Sequence, residues 1–281
     1  MKQYIKLMRC KHYIKNILVF LPLFFSGKMI SLNDCVNSIL GAIAFCLISS
    51  VIYIINDIKD VEADRQHEKK KYRPIASGAV SIKNAVILAA ILFLISTAIN
   101  IVALRENILG YICIYTYFVL NLLYSIKLKH IAIVDIVILA SGFLLRVFYG
   151  ASIINVVVSN WLYLTILAVS FYMGLGKRRN ESLKVGGQSR SVLKYYSTSF
   201  LTSNMYMFIT LAITFYSLWC IDSQIPNVIW TVPLIMILCM QYSRIIEGDS
   251  YGDPVEVILE NKSMLATAVI YAIIISALIY F

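Results

Sequence analysis

Long apolar blocks with few charges limit what this chain can fold into. A lipid bilayer offers backbone N–H and C=O groups no water, so blocks of about 20 apolar residues predict transmembrane helices. The chain of 281 residues contains nine such blocks, at 15–33, 36–55, 83–103, 108–126, 132–157, 160–176, 199–221, 227–246 and 264–281. The predicted fold is therefore all-α, a polytopic membrane bundle of nine transmembrane helices. The first block is the weakest, because its apolar core is short and contains Pro22.

The composition agrees with this prediction and excludes other classes of protein. Hydrophobic residues make up 60% of the chain and charged residues 14%, against about 45–50% and about 25% in soluble domains. No connection is long enough to form a separate domain, so residues 1–281 are expected to form one integral membrane domain. The six cysteines include no CxxC pair, which disfavours a disulfide framework or a zinc site.

The positive charges lie almost entirely on one side of the predicted bundle. Of the 25 Lys and Arg residues, 22 fall in the N-terminal segment and in the connections after the even-numbered spans. Because such residues mark cytoplasmic loops, the N-terminus is predicted to be cytoplasmic and the C-terminus to lie outside. The net charge of +10 therefore reflects topology and anionic substrates, and no nucleic-acid partner is expected.

An acidic cluster opens the first long cytoplasmic stretch, directly after the second span. Asn56 precedes three carboxylates, Asp57, Asp60 and Asp64. If the helix continues, the carboxylates stand at i, i+3 and i+7 on one face. Close carboxylates repel each other and require a cation, and hard oxygen ligands of this kind suit Mg²⁺. The alternative is a solvated helix end whose acids are balanced by neighbouring Lys and Arg residues.

Basic residues follow on the same predicted side of the membrane. Arg73 stands immediately before a proline turn, where its guanidinium is well placed to bind a phosphate through two hydrogen bonds. The second long cytoplasmic stretch, 177–198, begins with Lys177, Arg178 and Arg179, residue types that bind phosphate oxygens without a metal. A positive-inside signal is the competing interpretation of both runs.

Two ionisable residues fall in or beside the fifth span. Asp135 and Arg146 are costly at such a depth, so each is expected to be functional or paired. Their separation in sequence corresponds to about 16 Å along a helix, which is too far for a direct ion pair. Each side chain therefore needs another partner, in the bundle or on a ligand.

The acidic cluster is part of a longer motif. Asn56-Asp57-x-x-Asp60-x-x-x-Asp64, followed by Arg73-Pro74-Ile75-Ala76-Ser77-Gly78, resembles the first aspartate-rich motif of the UbiA prenyltransferase superfamily. Members of that superfamily are nine-helix membrane enzymes in which this motif holds Mg²⁺ on the diphosphate of the donor. The resemblance therefore implies Mg²⁺ as cofactor and a catalytic motif formed by Asn56, Asp57, Asp60 and Asp64, with the three aspartates as the metal ligands.

Further matches point to one branch of the superfamily, the decaprenyl-phosphate phosphoribosyltransferases. They extend from residue 9 to residue 262 and so cover nearly the whole chain. The branch pattern is similar at Lys15-Asn16, Tyr124-Ser125, Lys129, Asp135, Arg146, Gly150, Lys177-Arg178-Arg179, Glu181 and 253–257. Arg9-Cys10, Tyr13 and Glu68 depart from that pattern, and they concern the acceptor side more than the class of reaction.

The resemblance to this branch implies a reaction and its partners. The expected reaction is Mg²⁺-dependent transfer of 5-phosphoribosyl from phosphoribosyl diphosphate to a polyprenyl phosphate, at the cytoplasmic face of a bacterial inner membrane, for cell-envelope glycan synthesis. Membrane lipids are further partners, and a homo-oligomer is left open. The residues expected to bind the substrates are Lys15, Asn16, Lys70, Arg73, Tyr124, Ser125, Lys129, Asp135, Arg146, Lys177, Arg178 and Glu181.

Other functions remain open at the level of the sequence. Prenyl transfer from a prenyl diphosphate to a small aromatic acceptor is the nearest alternative, but prenyl-diphosphate users of the superfamily usually carry a second aspartate-rich motif where this chain has its second basic run. A transporter would also explain nine helices and buried charges, although transporter sites lie near the middle of the membrane. The compact aspartate cluster disfavours a lipid-binding scaffold.

Overall fold

A computed structural model gives the fold of the protein. It describes residues 2–185, 191–248, 257 and 261–281. Within these ranges the chain forms α-helices and 3-10 helices and contains no strand, which confirms the all-α prediction. Residues 253–256 of the C-terminal motif lie outside the described residues.

Eleven α-helices follow one another along the described residues. They are α1 (Lys2–Met8), α2 (Leu21–Phe25), α3 (Leu32–Lys59), α4 (Val61–Gln66), α5 (Ile82–Leu104), α6 (Ile108–Ile126), α7 (Val134–Ile153), α8 (Asn160–Val185), α9 (Thr198–Asp222), α10 (Val232–Glu247) and α11 (Lys262–Tyr280). Short 3-10 helices lie between them, at Cys10–Phe20, Lys28–Ile30, Lys70–Tyr72, Leu128–His130, Ser191–Tyr195 and Val228–Thr231.

Among the described residues, seven helices are long and apolar enough to cross a membrane, judged by length and composition. They are α3, α5, α6, α7, α9, α10 with the 3-10 turn before it, and α11, and they match seven of the nine predicted spans. Helix α8 contains the predicted span 160–176 and has 26 residues, but charged residues occupy its last turns. The polytopic helical bundle is confirmed, whereas the count of nine spans stays a prediction.

The first predicted span, 15–33, is not one continuous helix. The chain there runs through the 3-10 helix Cys10–Phe20, the five-residue α2 and a second 3-10 helix. Pro22 lies in the first turn of α2, where its missing N–H costs nothing and its fixed φ starts a new helix. Gly27 then takes a left-handed conformation with φ 72°, which glycine adopts without steric cost. Proline and glycine thus divide this apolar block into short pieces.

Side-chain caps set where several long helices begin. The Ser31 hydroxyl accepts a hydrogen bond from the Asp34 N–H at the start of α3. Ser81 and Ser197 accept the equivalent bonds at the starts of α5 and α9. Each cap satisfies one of the N–H groups that have no partner in the first helical turn. The polar connection before each of these spans therefore supplies the residue that begins its helix.

The chain divides into two compact units. Unit 1 contains Met1–Ile126 and Leu145–Val157, and unit 2 contains Lys127–Leu144 and Val158–Phe281. Helix α7 belongs to both, since it begins in unit 2 and ends in unit 1. The single domain predicted over residues 1–281 stays a prediction.

An aromatic core holds α3 against its neighbours in unit 1. The Phe45 ring lies 4.6 Å from the Tyr117 ring of α6 and 5.3 Å from the Tyr149 ring of α7, measured between centroids. At Gly150, a Cβ atom would come within 2.0 Å of the Val19 carbonyl oxygen. Glycine therefore allows the backbone of α7 to contact the first segment of the chain, one turn away from Arg146.

The core of unit 2 forms around α8 and includes the segment that follows it. Tyr172, Leu201 and Ile246, from α8, α9 and α10, are buried together. Val192 and Leu193 belong to the same core and are 0% and 2% exposed. Connections between helices usually lie on the surface, whereas the connection between α8 and α9 packs into the interior through Val192 and Leu193.

Candidate active site

Two of the predicted metal ligands meet at one arginine near the end of α3. Asp57 lies in the last turn of α3 and Asp64 in the short α4, and both side chains are buried. Arg73 Nη1 donates to Asp57 Oδ1 at 3.1 Å and to Asp64 Oδ2 at 2.6 Å. The structure therefore brings Arg73, a predicted phosphate-binding residue, to the acidic motif that precedes it.

A second arginine, Arg9, contacts one of these two carboxylates, that of Asp57. Its Nη2 donates to Asp57 Oδ1, and its guanidinium lies 5.0 Å from the centre of the Tyr53 ring. The backbone of Arg9 is left-handed, with φ 54°, a conformation that costs a non-glycine residue free energy. Arg9 is not among the predicted site residues, because 48 positions separate it from Asp57 and no local pattern links the two.

Asp60 lies at the break between α3 and α4 and is partly buried. Helix α3 ends at Lys59, so the three aspartates do not share the face of one uninterrupted helix. The Asn56 carbonyl oxygen accepts the Asp60 N–H across this break. In the part of the chain that the structure describes, no group of three or more His, Cys, Asp and Glu side chains is arranged to hold a metal ion. The metal site of three aspartates therefore stays a prediction.

The chemistry of the Asp57–Asp64 pair nevertheless suits a divalent cation. The two carboxylate oxygens approach closely enough to share one cationic nitrogen of Arg73. Mg²⁺ takes oxygen ligands of this kind, commonly one or two carboxylates together with substrate phosphates. The residues present fit Mg²⁺, provided that the guanidinium groups release part of their contact with the carboxylates.

The end of α6 lies against the same part of unit 1. Lys59 Nζ donates to the Ser125 carbonyl oxygen, which joins the last residue of α3 to the last turn of α6. Tyr124, beside Ser125, is partly buried. Lys70 is exposed at the start of a 3-10 helix. Tyr124 and Ser125 are thus brought near the acidic motif through Lys59, and Lys70 lies on the connection that leads to Arg73.

Arg146 is buried in unit 1 and has partners there. Its Nε donates to Asn16 Oδ1 at 2.8 Å, and its Nη2 donates to the Tyr117 hydroxyl at 2.9 Å. The guanidinium lies 4.9 Å from the centre of the Phe45 ring, a distance typical of cation–π contacts. Lys15, next to Asn16, is partly buried. The expectation that Arg146 has a partner within the bundle is confirmed, and the substrate-binding roles of these residues stay predictions.

Asp135 and Arg178 form a buried ion pair in unit 2. Arg178 Nε donates to Asp135 Oδ2 at 2.5 Å, and the two side chains are 0% and 1% exposed for Asp135 and Arg178 respectively. Arg178 Nη1 also donates to Glu181 Oε2 at 2.6 Å, one turn further along α8. The sequence predicts that Arg178 binds a substrate phosphate, and this role stays a prediction. In the structure its guanidinium contacts two carboxylates, because a charge at this depth is stable only when it is paired.

Tyr196 completes this cluster from the segment that follows α8. Its hydroxyl donates to Asp135 Oδ1 at 2.6 Å and accepts the Ile133 N–H at 2.5 Å. Burial, followed by the bond to Asp135, raises the pKa of Tyr196 above its usual value, which favours the protonated hydroxyl that donates to Asp135. The sequence contains no sign of this role, because Tyr196 is one of 19 tyrosines and lies 61 positions from Asp135.

The predicted phosphate-binding lysines of unit 2 are close to this cluster in sequence. Lys177 precedes Arg178 on α8 and is partly buried, as is Lys129. Lys129 lies on the 3-10 helix Leu128–His130, in the connection that leads to Asp135. Their binding roles stay predictions.

The chain is similar to known proteins along almost its whole length. The model of the UbiA prenyltransferase family matches residues 19–255. The chain belongs to this family. Together with the seven apolar helices of the described residues, membership of the family makes the protein an integral membrane protein.

Two relatives of similar length carry the same name. The decaprenyl-phosphate phosphoribosyltransferase of Mycolicibacterium smegmatis is 32% identical over 296 residues, which cover 99% of this chain and 92% of the relative. The decaprenyl-phosphate phosphoribosyltransferase of Corynebacterium glutamicum is 30% identical over 293 residues, which cover 98% of this chain and 86% of the relative. With the family match, these similarities show that the protein is a UbiA-type membrane transferase.

A solved structure of the family has the same fold. The UbiA homologue from Archaeoglobus fulgidus bound to GPP and Mg²⁺ aligns with a TM-score of 0.75 over 99% of both chains, at 17% sequence identity. At this identity the similarity concerns the fold alone. It confirms the helical membrane fold predicted from the apolar blocks.

Proposed function

We propose that this UbiA-family protein transfers 5-phosphoribosyl from phosphoribosyl diphosphate to a polyprenyl phosphate. The products are diphosphate and a lipid-linked phosphoribose for cell-envelope glycan synthesis. The observation that carries the proposal is the match over 98% and 99% of the chain to two transferases named for this lipid phosphate and this sugar. The chemistry of the chain's own residues supports it.

The donor brings a diphosphate, and the acidic cluster of unit 1 has the groups to receive it. Asp57 and Asp64, with Asp60 as the third proposed ligand, would hold Mg²⁺, which when bound neutralises charge on a departing diphosphate. Arg73 already contacts Asp57 and Asp64, and Arg9 contacts Asp57. A guanidinium that exchanges a carboxylate for a phosphate keeps equivalent charge-assisted hydrogen bonds. The cluster therefore supplies both the ligands and the cations that a diphosphate needs.

The acceptor reacts without a general base. The oxygen of a polyprenyl phosphate is anionic near neutral pH, so no proton has to be removed before it attacks. The lipid phosphate oxygen forms a bond to the anomeric carbon, and the bond from that carbon to the diphosphate oxygen breaks on the opposite face. The diphosphate leaves with the electron pair, and inversion at the anomeric carbon is expected.

The remaining substrate-binding assignments are part of the same proposal. In unit 1 we assign substrate phosphates and the sugar to Lys15, Asn16, Lys70, Tyr124, Ser125 and Arg146, with Asn56 beside the metal ligands. In unit 2 we assign Lys129 and Lys177 to direct contact with substrate. The buried contacts of Asp135, Arg178 and Glu181 with one another make these three residues supports for the lysines.

We infer that the reaction takes place at the cytoplasmic face of a bacterial inner membrane. The acidic motif and Arg73 lie on a connection of the side that carries 22 of the 25 Lys and Arg residues, and such residues concentrate in cytoplasmic loops. Phosphoribosyl diphosphate is water-soluble and reaches that face directly. The polyprenyl chain stays in the bilayer, beside the apolar helices.

Prenyl transfer from a prenyl diphosphate to a small aromatic acceptor is the second candidate. One observation favours it: Arg178 is occupied by Asp135 and Glu181, so the basic run after the sixth predicted span offers fewer open cations than its sequence suggests. The names of the full-length relatives favour the phosphoribosyl donor. A transporter is no longer a candidate, because the chain belongs to a family of transferases.

A comparison of the two donors tests the proposal. Purified protein in lipid nanodiscs receives Mg²⁺ with labelled phosphoribosyl diphosphate and a polyprenyl phosphate, or with labelled prenyl diphosphate and an aromatic acceptor. We expect a labelled lipid product and diphosphate release only from the first pair. Product from the prenyl diphosphate alone would contradict the proposal.

A matched pair of variants tests the acidic cluster. Asp57→Asn keeps the size of the side chain but removes the charge that Arg9 and Arg73 contact, and we expect turnover to fall about a hundredfold or more, as when one charge-stabilising group is removed. Asp34→Asn changes an aspartate in the first turn of the same helix and is expected to leave turnover unchanged. Normal turnover in Asp57→Asn would overturn the assignment of this residue.

A further inference from the structure

We propose that Tyr196 is a positioning residue of unit 2, which fixes the segment 127–133 and its Lys129 for binding of the anionic donor. The proposal rests on the phosphoribosyl transfer proposed above and adds to it a residue that has no place in the sequence motifs. Tyr196 acts through its hydroxyl on Asp135 and Ile133, and it takes no part in the chemical step.

The Tyr196 hydroxyl forms hydrogen bonds with two groups of unit 2. It donates to Asp135 Oδ1 and accepts from the Ile133 N–H, while Asp135 Oδ2 is taken by Arg178. Both oxygens of a fully buried carboxylate are therefore satisfied, one by each partner. Removal of this single hydroxyl leaves Asp135 Oδ1, an oxygen of a fully buried side chain, without this partner, and unpaired buried groups are costly. The Ile133 N–H loses the same partner, but the Ile133 residue is 58% exposed.

The backbone that Tyr196 holds is strained. Ile133 has φ 68°, a left-handed conformation that is an outlier for a β-branched residue. Strain of this kind persists only where surrounding contacts impose it. The bond from the Ile133 N–H to the Tyr196 hydroxyl is such a contact, and it lies at the end of the connection that carries Lys129.

Packing keeps the Tyr196 ring in place independently of its hydroxyl. The ring stacks on Phe200 with centroids 5.9 Å apart and planes 8° from parallel. Val192 and Leu193, a few residues earlier, are buried in the core of unit 2. The 3-10 helix Ser191–Tyr195 also packs against the 3-10 helix Leu128–His130. Loss of the hydroxyl alone is therefore expected to loosen the connection without unfolding the unit.

The cluster links the segments of unit 2 that carry the proposed donor-binding lysines. Lys129 lies on the connection that Tyr196 holds at Ile133, and Lys177 is adjacent to Arg178 on α8. A lysine is a flexible point charge, so its contribution to binding depends on where its backbone is held. Tyr196 is thus expected to affect the affinity for the donor more than the turnover rate of the enzyme–substrate complex.

The test compares Tyr196→Phe with Tyr195→Phe. Tyr195 is the neighbouring residue, and its side chain is 74% exposed, so its variant controls for loss of a tyrosine hydroxyl. For Tyr196→Phe we expect the KM for phosphoribosyl diphosphate to rise about tenfold, because donor binding must then order the segment that the hydrogen bond to the charged Asp135 held, and one bond of this kind contributes at least about that factor. We expect kcat to change less than about twofold. The substitution weakens binding of the ground state and of the transition state equally, and such a change raises KM without lowering kcat. Tyr195→Phe is expected to match the wild-type protein.

Two further measurements distinguish a positioning role of Tyr196 from a role in folding, and they do not depend on which donor the protein uses. Hydrogen exchange of segment 127–133 is expected to be faster in Tyr196→Phe only. Titration with ribose 5-phosphate, which lacks the diphosphate assigned to unit 1, is expected to show weaker binding by Tyr196→Phe than by Tyr195→Phe, even if the wild-type protein makes no product from phosphoribosyl diphosphate and the proposed function fails. Unchanged ribose 5-phosphate binding and KM in Tyr196→Phe, or a fall of kcat that follows loss of folded protein, would overturn the positioning role.

Discussion

Replacing Asp135 by Asn tests how much the buried ion pair of unit 2 contributes to stability. The Asp135 and Arg178 side chains are 0% and 1% exposed, so the substitution removes one charge from a pair that solvent does not reach and keeps the size of the side chain. Removing one partner of a buried pair costs about 3–5 kcal/mol, because the other charge is left uncompensated. Glu181 still contacts Arg178 at 2.6 Å and lowers this cost. We therefore expect the free energy of unfolding to fall by about 3 kcal/mol.

An exposed ion pair of the same protein provides the control. Glu62 and Arg65 pair at 3.0 Å on α4, with side chains 78% and 51% exposed. Pairs of this kind contribute between about 0 and 1 kcal/mol, because water screens both charges. Glu62→Gln is therefore expected to change the free energy of unfolding by less than about 1 kcal/mol.

The assay is reversible denaturant unfolding in mixed micelles, followed by tryptophan fluorescence. The double variant Asp135→Asn, Arg178→Met separates the electrostatic pair from packing, since it removes both charges together. We expect it to be less destabilised than the sum of the two single variants by about 1 kcal/mol or more, as for other directly contacting residues. Equal losses from Asp135→Asn and Glu62→Gln, or additive losses in the double variant, would refute the reasoning.

Three further predictions concern unit 1. Gly150→Ala is expected to lower the free energy of unfolding by about 1–3 kcal/mol, because its Cβ would meet the Val19 carbonyl oxygen at 2.0 Å; an unchanged melting temperature would contradict this close approach. Chelation by EDTA is expected to stop turnover without unfolding the protein, and added Mg²⁺ to restore it, so persistent turnover in EDTA would exclude the metal. Arg9→Gln is expected to lower the Mg²⁺ concentration for half-maximal activity, because one of the cations that contact Asp57 is lost; a higher Mg²⁺ requirement in titrations would contradict the competition between Arg9 and the metal.

The helical spans could be predicted closely because they depend on local composition. The predicted spans 83–103 and 108–126 correspond to Ile82–Leu104 and Ile108–Ile126 in the structure. A bilayer selects each span for its own apolar length, so no contact elsewhere in the chain has to be known. The first block behaves differently because Pro22 and Gly27 interrupt the helical backbone within it.

The acidic motif could be found from spacing, but its arrangement could not. Asp57 and Asp64 stand seven positions apart on the same short stretch, and the structure does bring them together at Arg73. The turn at Asp60 depends on how α3 ends, which no periodicity in the sequence indicates. Arg9 reaches Asp57 from the N-terminal segment, through a chain reversal that only the folded unit contains.

By itself, the sequence determined that this protein is a helical membrane transferase of the UbiA family, with its cations and carboxylates gathered beside the same predicted face of the bilayer. Apolar length and local motifs are properties of neighbouring residues, so they do not depend on how the chain folds. Only the tertiary structure decided which charge pairs with which. Arg178 joins Asp135 across 43 positions, and Arg146 joins Asn16 across 130. A buried charge must find its partner wherever packing places one, and packing is a property of the whole folded unit.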